Sequence, residues 1–165
     1  MSLDNIQLSP LLVEKLYSKA LVDLDRLQPA SVKTEPARFN WLGNNDKNIL
    51  IVVNEPAAAF LQDQDLNLLV GILTACKLSL ADVALINIDK NSHANYDTLN
   101  KSLTPATILL FGVAPSDLDF PLHFPHFQLQ PYNGQHYLCS PALSMLAADV
   151  GLKKQLWISL QKHFN

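Results

Sequence analysis

Three short, nearly unbroken aliphatic runs, at 49–53, 83–88 and 107–111, dominate this sequence. A strand with one face in water alternates apolar and polar residues, whereas a strand covered on both faces is apolar throughout. The runs therefore predict buried strands of a parallel sheet. Helical patterns at 63–77 and 96–103 separate the runs, and strands that alternate with helices are typical of α/β domains.

The C-terminal third completes this pattern. The segment 127–139 contains Asn133-Gly134, a preferred two-residue turn of β-hairpins, and it predicts either a hairpin or one late strand. Two helices, at 142–148 and 152–164, are expected to follow. The predicted fold is α/β, a three-layer αβα sandwich with a short, mainly parallel sheet of about four strands. A chain of 165 residues, 48% of them apolar, is long enough for one domain with a hydrophobic core.

Apolar residues at helical spacing indicate a further helix at 9–27, with Leu12 and Leu16 on its apolar face. The irregular stretch 28–47 follows and is interpreted as a linker. The predicted organisation is an N-terminal helix and linker at 1–47 and an α/β core domain at 48–165. The helix either packs on the chain's own sheet or enters a groove on a protein partner. The candidate partner-binding residues are Leu12, Leu16, Phe39 and Trp41.

Composition and termini exclude several classes of protein. A net charge of -3 argues against a broad basic surface for nucleic acid. Cys76 and Cys139 are too few for the four-thiolate set of an iron–sulfur cluster or a structural zinc site, and His123 and His126 lack a nearby third ligand. We therefore expect no metal and no cofactor. The absence of a secretory signal and of a long apolar stretch predicts a cytoplasmic protein without membrane contact.

Ligands of open parallel sheets bind beyond the carboxyl ends of the strands, so the following loops are the candidate site. The loop after 49–53 lacks the glycines and the Lys-Ser/Thr pair of a nucleotide P-loop. Glu55 in this loop is either a general base or, preferably, a solvated or helix-capping carboxylate. Ser140 precedes Pro141, which favours a helix N-cap over a nucleophile. No complete catalytic set is apparent, so we expect no enzyme activity.

The order of motifs across about 49–160 resembles the uracil-DNA glycosylase superfamily. Glu55-Pro56 follows the first strand, the stretch 108–114 is similar to that family's third strand, and Ser140-Pro141 precedes a helix. The resemblance implies a glycosylase-like fold with a vestigial pocket at five positions, which are Asn54, Glu55, Gly112, Cys139 and Ser140. This sequence departs from the family where Asn54 and alanines replace loop glycines, and where Cys139 replaces the catalytic histidine.

A narrower resemblance connects the chain with the psi-subunit family of bacterial DNA polymerase III, which has a non-catalytic version of this fold. It is carried by Ser140-Pro141-Ala142-Leu143, Leu146 and Leu156-Trp157, most of them core-type residues, and Trp157 is predicted to be buried. The family implies a bridging subunit whose partners are clamp-loader and chi-like subunits, with weak or no direct binding of nucleic acid. The alternative is a degenerate glycosylase-like protein that binds DNA or a nucleobase without excising it.

Overall fold

A computed structural model describes residues 38–165, and these residues are built around one mixed six-stranded sheet. Its order is β1-β3-β2-β4-β6-β5. The four inner strands β3, β2, β4 and β6 are parallel, and β1 and β5 pair antiparallel at the two edges. The strands are β1 (Trp41–Leu42), β2 (Ile49–Val53), β3 (Val83–Asn87), β4 (Thr107–Phe111), β5 (Leu129–Tyr132) and β6 (Gln135–Ser140).

Four α-helices accompany the sheet in the described residues, and side-chain caps explain where two of them begin. They are α1 (Asp63–Ala75), α2 (Tyr96–Leu103), α3 (Leu143–Ala148) and α4 (Val150–Phe164). Asn95 caps α2 by accepting from the N–H of Thr98 at 2.9 Å, and Asp149 caps α4 by accepting from Gly151 at 2.7 Å. No helix within residues 38–165 is long and apolar enough to cross a membrane.

The two faces of the sheet carry separate hydrophobic clusters, which explains why the aliphatic runs are unbroken. Ile49, Ile51 and Val53 of β2 pack on one face, where α1, α3 and α4 lie. Leu50 and Val52 point to the other face, which is covered by α2, the 3₁₀ turn at 115–118 and a group of aromatic side chains. Each inner strand is therefore buried on both sides, as parallel strands between helical layers generally are.

The α/β class is confirmed, but the sheet differs from the predicted one of about four, mainly parallel strands. Both extra strands lie at the edges, where the sequence signal is weak. β1 has only two residues, and β5 contains Pro131, which is depleted in strands. The hairpin alternative for 127–139 is the one observed, because β5 and β6 meet at Asn133 and Gly134, whose φ angles are 51° and 75°.

The segment before β2 also joins the sheet. Trp41 and Leu42, which the sequence analysis assigned to a linker, pair with Ile86 and Leu85 of β3. Gly43 follows with φ +104°, and a Cβ there would lie 2.1 Å from the carbonyl oxygen of Val83, so the close approach requires glycine. The predicted helix at 9–27 lies outside the described residues.

Candidate functional site

The carboxyl ends of β2 and β4 lie side by side, and the chain leaves them toward opposite faces of the sheet. After β2 it continues to α1 on one face, and after β4 it continues to the 3₁₀ turn at 115–118 on the other. Such a divergence is the usual place for a ligand crevice in open α/β sheets. A crevice is present here, lined by residues that include Asn54, Glu55 and Asp65, and its volume is about 60 Å³.

A close backbone approach between Gly112 and Ala142 lies next to this crevice. Gly112 follows β4 with φ +65°, and a Cβ at this position would lie 2.8 Å from the Cβ of Ala142. The N–H of Gly112 donates to the carbonyl oxygen of Ser140 at 2.9 Å. The connection from β6 to α3 is thus pressed against the end of β4. The remaining space is far smaller than the roughly 300–1,000 Å³ typical of small-molecule sites.

Asn87, at the end of β3, fixes the loop that forms one wall of the crevice. Its side chain is fully buried, and its Oδ1 accepts from the N–H groups of Glu55 at 3.0 Å and Asp89 at 3.2 Å. Its Nδ2 donates to the carbonyl oxygens of Glu55 and Ala58, at 2.6 and 3.0 Å. Asn87 is not among the site residues predicted from sequence, although an amide at the end of an aliphatic run was an available signal, because buried polar groups need partners.

The Glu55 carboxylate is engaged with its own loop. Its Oε1 accepts from the N–H of Ala57 at 3.0 Å and lies 3.5 Å from Nε2 of Gln62, the residue before α1. Burial, and to a smaller extent the charge of Glu55, raise the pKa of Asp65 above its ordinary value. Both carboxylates therefore face the same crevice, and the carboxylate of Glu55 is held by its own loop.

Cys139 and Ser140 lie apart from the crevice lining. Cys139 is buried with Leu110 and Tyr137, and burial raises the pKa of its thiol to about 11. Ser140 is the last residue of β6 and not a helix cap, because α3 begins only at Leu143 with Ala142 in the cap position. The prediction of an N-capping serine is therefore wrong. The connection continues in extended form for two residues beyond Ser140 before it turns into a helix.

The five predicted pocket residues are thus divided between two depressions. Asn54 and Glu55 line the narrow crevice. Gly112, Cys139 and Ser140 line a second groove of about 590 Å³, which also begins at the carboxyl ends of β4 and β6. The division follows the strands, since Asn54 and Glu55 come after β2, whereas Gly112 follows β4 and Cys139 and Ser140 end β6.

The two candidate partner-binding residues within the described part differ in exposure. Phe39 is buried, with 7% of its surface exposed, and packs in the cluster of Leu50 and Val52. Trp41, two residues later, is 40% exposed on the edge strand β1. Leu12 and Leu16 lie outside the described residues. His123 and His126 are exposed, and within residues 38–165 no group of three or more His, Cys, Asp or Glu is placed to hold a metal ion.

Comparison with known proteins identifies no relative of this chain. No protein-family model matches the chain, and no curated protein matches it at a significant level.

Proposed function

We propose that this chain is a non-enzymatic accessory protein that binds protein partners, in the manner of the psi-subunit family. Its partners would be clamp-loader and chi-like subunits of a bacterial replicative polymerase. The observation that carries the proposal is the narrow crevice at the carboxyl ends of β2 and β4. With about 60 Å³, this crevice has no room for the extruded base that a base-excising relative must hold beside its catalytic acid.

The chemistry around the crevice supports the same proposal. A glycosylase needs an acid that activates water and a group that stabilises the departing base. The Glu55 carboxylate accepts hydrogen bonds from its own loop. Cys139 carries a neutral thiol at physiological pH because burial raises its pKa. A neutral, buried thiol is a poor substitute for a histidine that stabilises an anion.

The partner-binding surface is proposed to include Trp41. A half-exposed tryptophan on an edge strand presents a large apolar area on a rigid support, and tryptophan is among the residues most enriched at interface hot spots. Leu12 and Leu16 of the predicted N-terminal helix would contribute the other apolar anchors. Phe39 supports this surface from inside the core and is not proposed as a contact.

The test is a direct binding measurement with purified bacterial clamp-loader complex and chi subunit, using the full chain. We expect one of them to bind, and Trp41→Ala to weaken the complex by about tenfold or more. Ile158→Ala is the matched control, because Ile158 is similarly exposed, at 45%, but lies on α4. The proposal is wrong if neither partner binds, or if the two variants weaken binding equally. Binding of single-stranded DNA alone would favour the degenerate-glycosylase alternative.

A further inference from the structure

The second groove, unlike the narrow crevice, is lined mainly by apolar side chains. It begins at the ends of β4 and β6, has a volume of about 590 Å³, and is walled mainly by apolar side chains, among them Val113, Pro115, Phe124, Met145 and Leu152. The volume lies within the range of roughly 300–1,000 Å³ that small-molecule sites occupy. His126 also lines the groove, and among the described lining residues none is Asp, Glu, Lys or Arg. An uncharged ligand therefore fits this groove best.

One polar group in this lining is unused. Ser140 is 2% exposed, and its Oγ has no hydrogen-bond partner among residues 38–165. A buried hydroxyl without a partner costs free energy, and native structures retain few such groups. Ser140 is also too far from the start of α3 to act as its cap, so helix capping does not explain it. Oγ has almost no accessible surface in this structure, so its side chain must turn toward the groove before a ligand N–H or O–H can supply the missing partner.

The apolar walls favour an aromatic ligand. Phe124 lies parallel to Tyr137, with ring centroids 5.2 Å apart and an interplanar angle of 4°, so its ring is held in a fixed orientation. Met145 is 57% exposed, and thioethers make favourable contacts with aromatic ring edges. A flat aromatic ligand could therefore pack against the fixed ring of Phe124 and the flexible thioether of Met145.

We propose that this groove binds a small, uncharged aromatic molecule whose N–H or O–H donates to Oγ of Ser140. The proposal goes beyond partner binding and does not depend on it, because none of the groove residues belongs to the proposed partner surface. The narrow crevice with Asn54 and Glu55 is a separate depression and takes no part.

Indole and benzofuran are suitable probes, because they have the same shape and differ in the N–H. Binding to the full chain is followed by ligand-observed NMR and by amide shifts of groove residues. We expect indole to bind and benzofuran to bind about fivefold more weakly, as for the loss of one hydrogen bond. Ser140→Ala should remove this difference without lowering the melting temperature, since the hydroxyl has no protein partner to lose.

Two further variants locate the site. Ser144→Ala is the matched control, because Ser144 is exposed and lines the narrow crevice, and it should leave the preference for indole unchanged. Ala114→Trp should abolish binding, since Ala114 is an exposed residue of the groove wall and the indole ring would fill the space. Failure of indole to bind, equal affinity for both probes in the parent protein, or binding that survives Ala114→Trp would each overturn the proposal.

Discussion

Asn87 is the residue on which the geometry of the β2–α1 loop most depends. Asn87→Ala removes the acceptor for two backbone N–H groups and the donors for two backbone carbonyl oxygens. Because unpaired buried polar groups are costly, we expect the free energy of unfolding to fall by about 3 kcal/mol. Urea unfolding of the full chain measures this. Asn54→Ala, an exposed change in the same loop, is the control, and similar midpoints for both variants would contradict the assignment.

His163 gives the molecule a predictable pH dependence. Its Nε2 lies 2.9 Å from Oγ1 of Thr107, and burial, together with the nearby His136, lowers its pKa below the ordinary value of 6.5. As the pH falls below about 6.5, the unfolded chain therefore binds a proton that the folded chain does not. Stability should decrease from about pH 7 toward about pH 5.5, and this contribution should vanish above the unfolded pKa.

The variant His163→Gln tests this assignment. It should flatten the decrease in the urea midpoint on acidification, because glutamine does not titrate in this range. His123→Gln, in an exposed loop, should retain the parental slope. If the urea midpoints of both variants depend on pH as that of the parent protein does, a group other than His163 causes the loss of stability at low pH.

Helix α4 shows how far apolar periodicity predicts burial. Leu156 and Leu160 are 1% exposed, as their spacing predicts, whereas Trp157 is only partly buried and lies beside Gly71 and Ala75 of α1. The prediction that Trp157 is a core residue is confirmed in part, because its ring packs against the first hydrophobic cluster but is not fully enclosed. Helical spacing identifies the row of residues that face the core. Trp157 lies next to this row, so only part of its side chain contacts the core.

The two positions should differ in their effect on stability. Leu156→Ala creates a cavity in the first hydrophobic cluster and should cost about 3 kcal/mol of unfolding free energy. Trp157→Ala should cost less, because part of the ring already contacts solvent and neighbouring side chains can relax outward. Denaturant midpoints of the two variants provide the comparison, and a larger loss for Trp157→Ala would place the indole in the core.

The inner strands could be predicted because residues such as Ile51 and Leu110 must be apolar on both faces, a requirement that is visible in sequence. The edge strands could not be predicted in this way, because each has a neighbouring strand on one side only and is less completely buried. Trp41–Leu42 is too short to show periodicity, and its pairing with β3 depends on Gly43 meeting Val83 from a distant part of the chain. Pairings that are made by backbone groups leave little trace in side-chain pattern.

At the scale of the whole molecule, the alternation of strands and helices could be predicted from sequence, but the shape of the depressions at the strand ends could not. The loops after β2, β4 and β6 do converge at one edge of the sheet, as parallel topology requires. The contact between Gly112 and Ala142, and the end of β6 at Ser140, lie beside the narrow crevice and the wide groove. Both are results of tertiary packing, to which local propensities are insensitive.

The narrow crevice leads to a functional prediction for the intact chain. The crevice beside Glu55 has a volume of about 60 Å³, so an extruded uracil has no room next to this carboxylate unless the β6–α3 connection moves. We expect no excision from a uracil-containing single-stranded oligonucleotide, under conditions in which an active uracil-DNA glycosylase cleaves it completely. Excision that is abolished by Glu55→Ala would show that the crevice opens and that Glu55 is catalytic.

Pro131 in the outer strand β5 has a consequence for how copies of this protein behave when concentrated. In a two-residue hairpin the pair that flanks the turn, here Tyr132 and Gln135, is hydrogen-bonded, so the next pair, Pro131 and His136, directs its backbone groups away from the hairpin partner. At that point proline has no N–H to offer an incoming strand. We therefore expect edge-to-edge pairing between sheets to be disfavoured at β5 when the folded protein is concentrated.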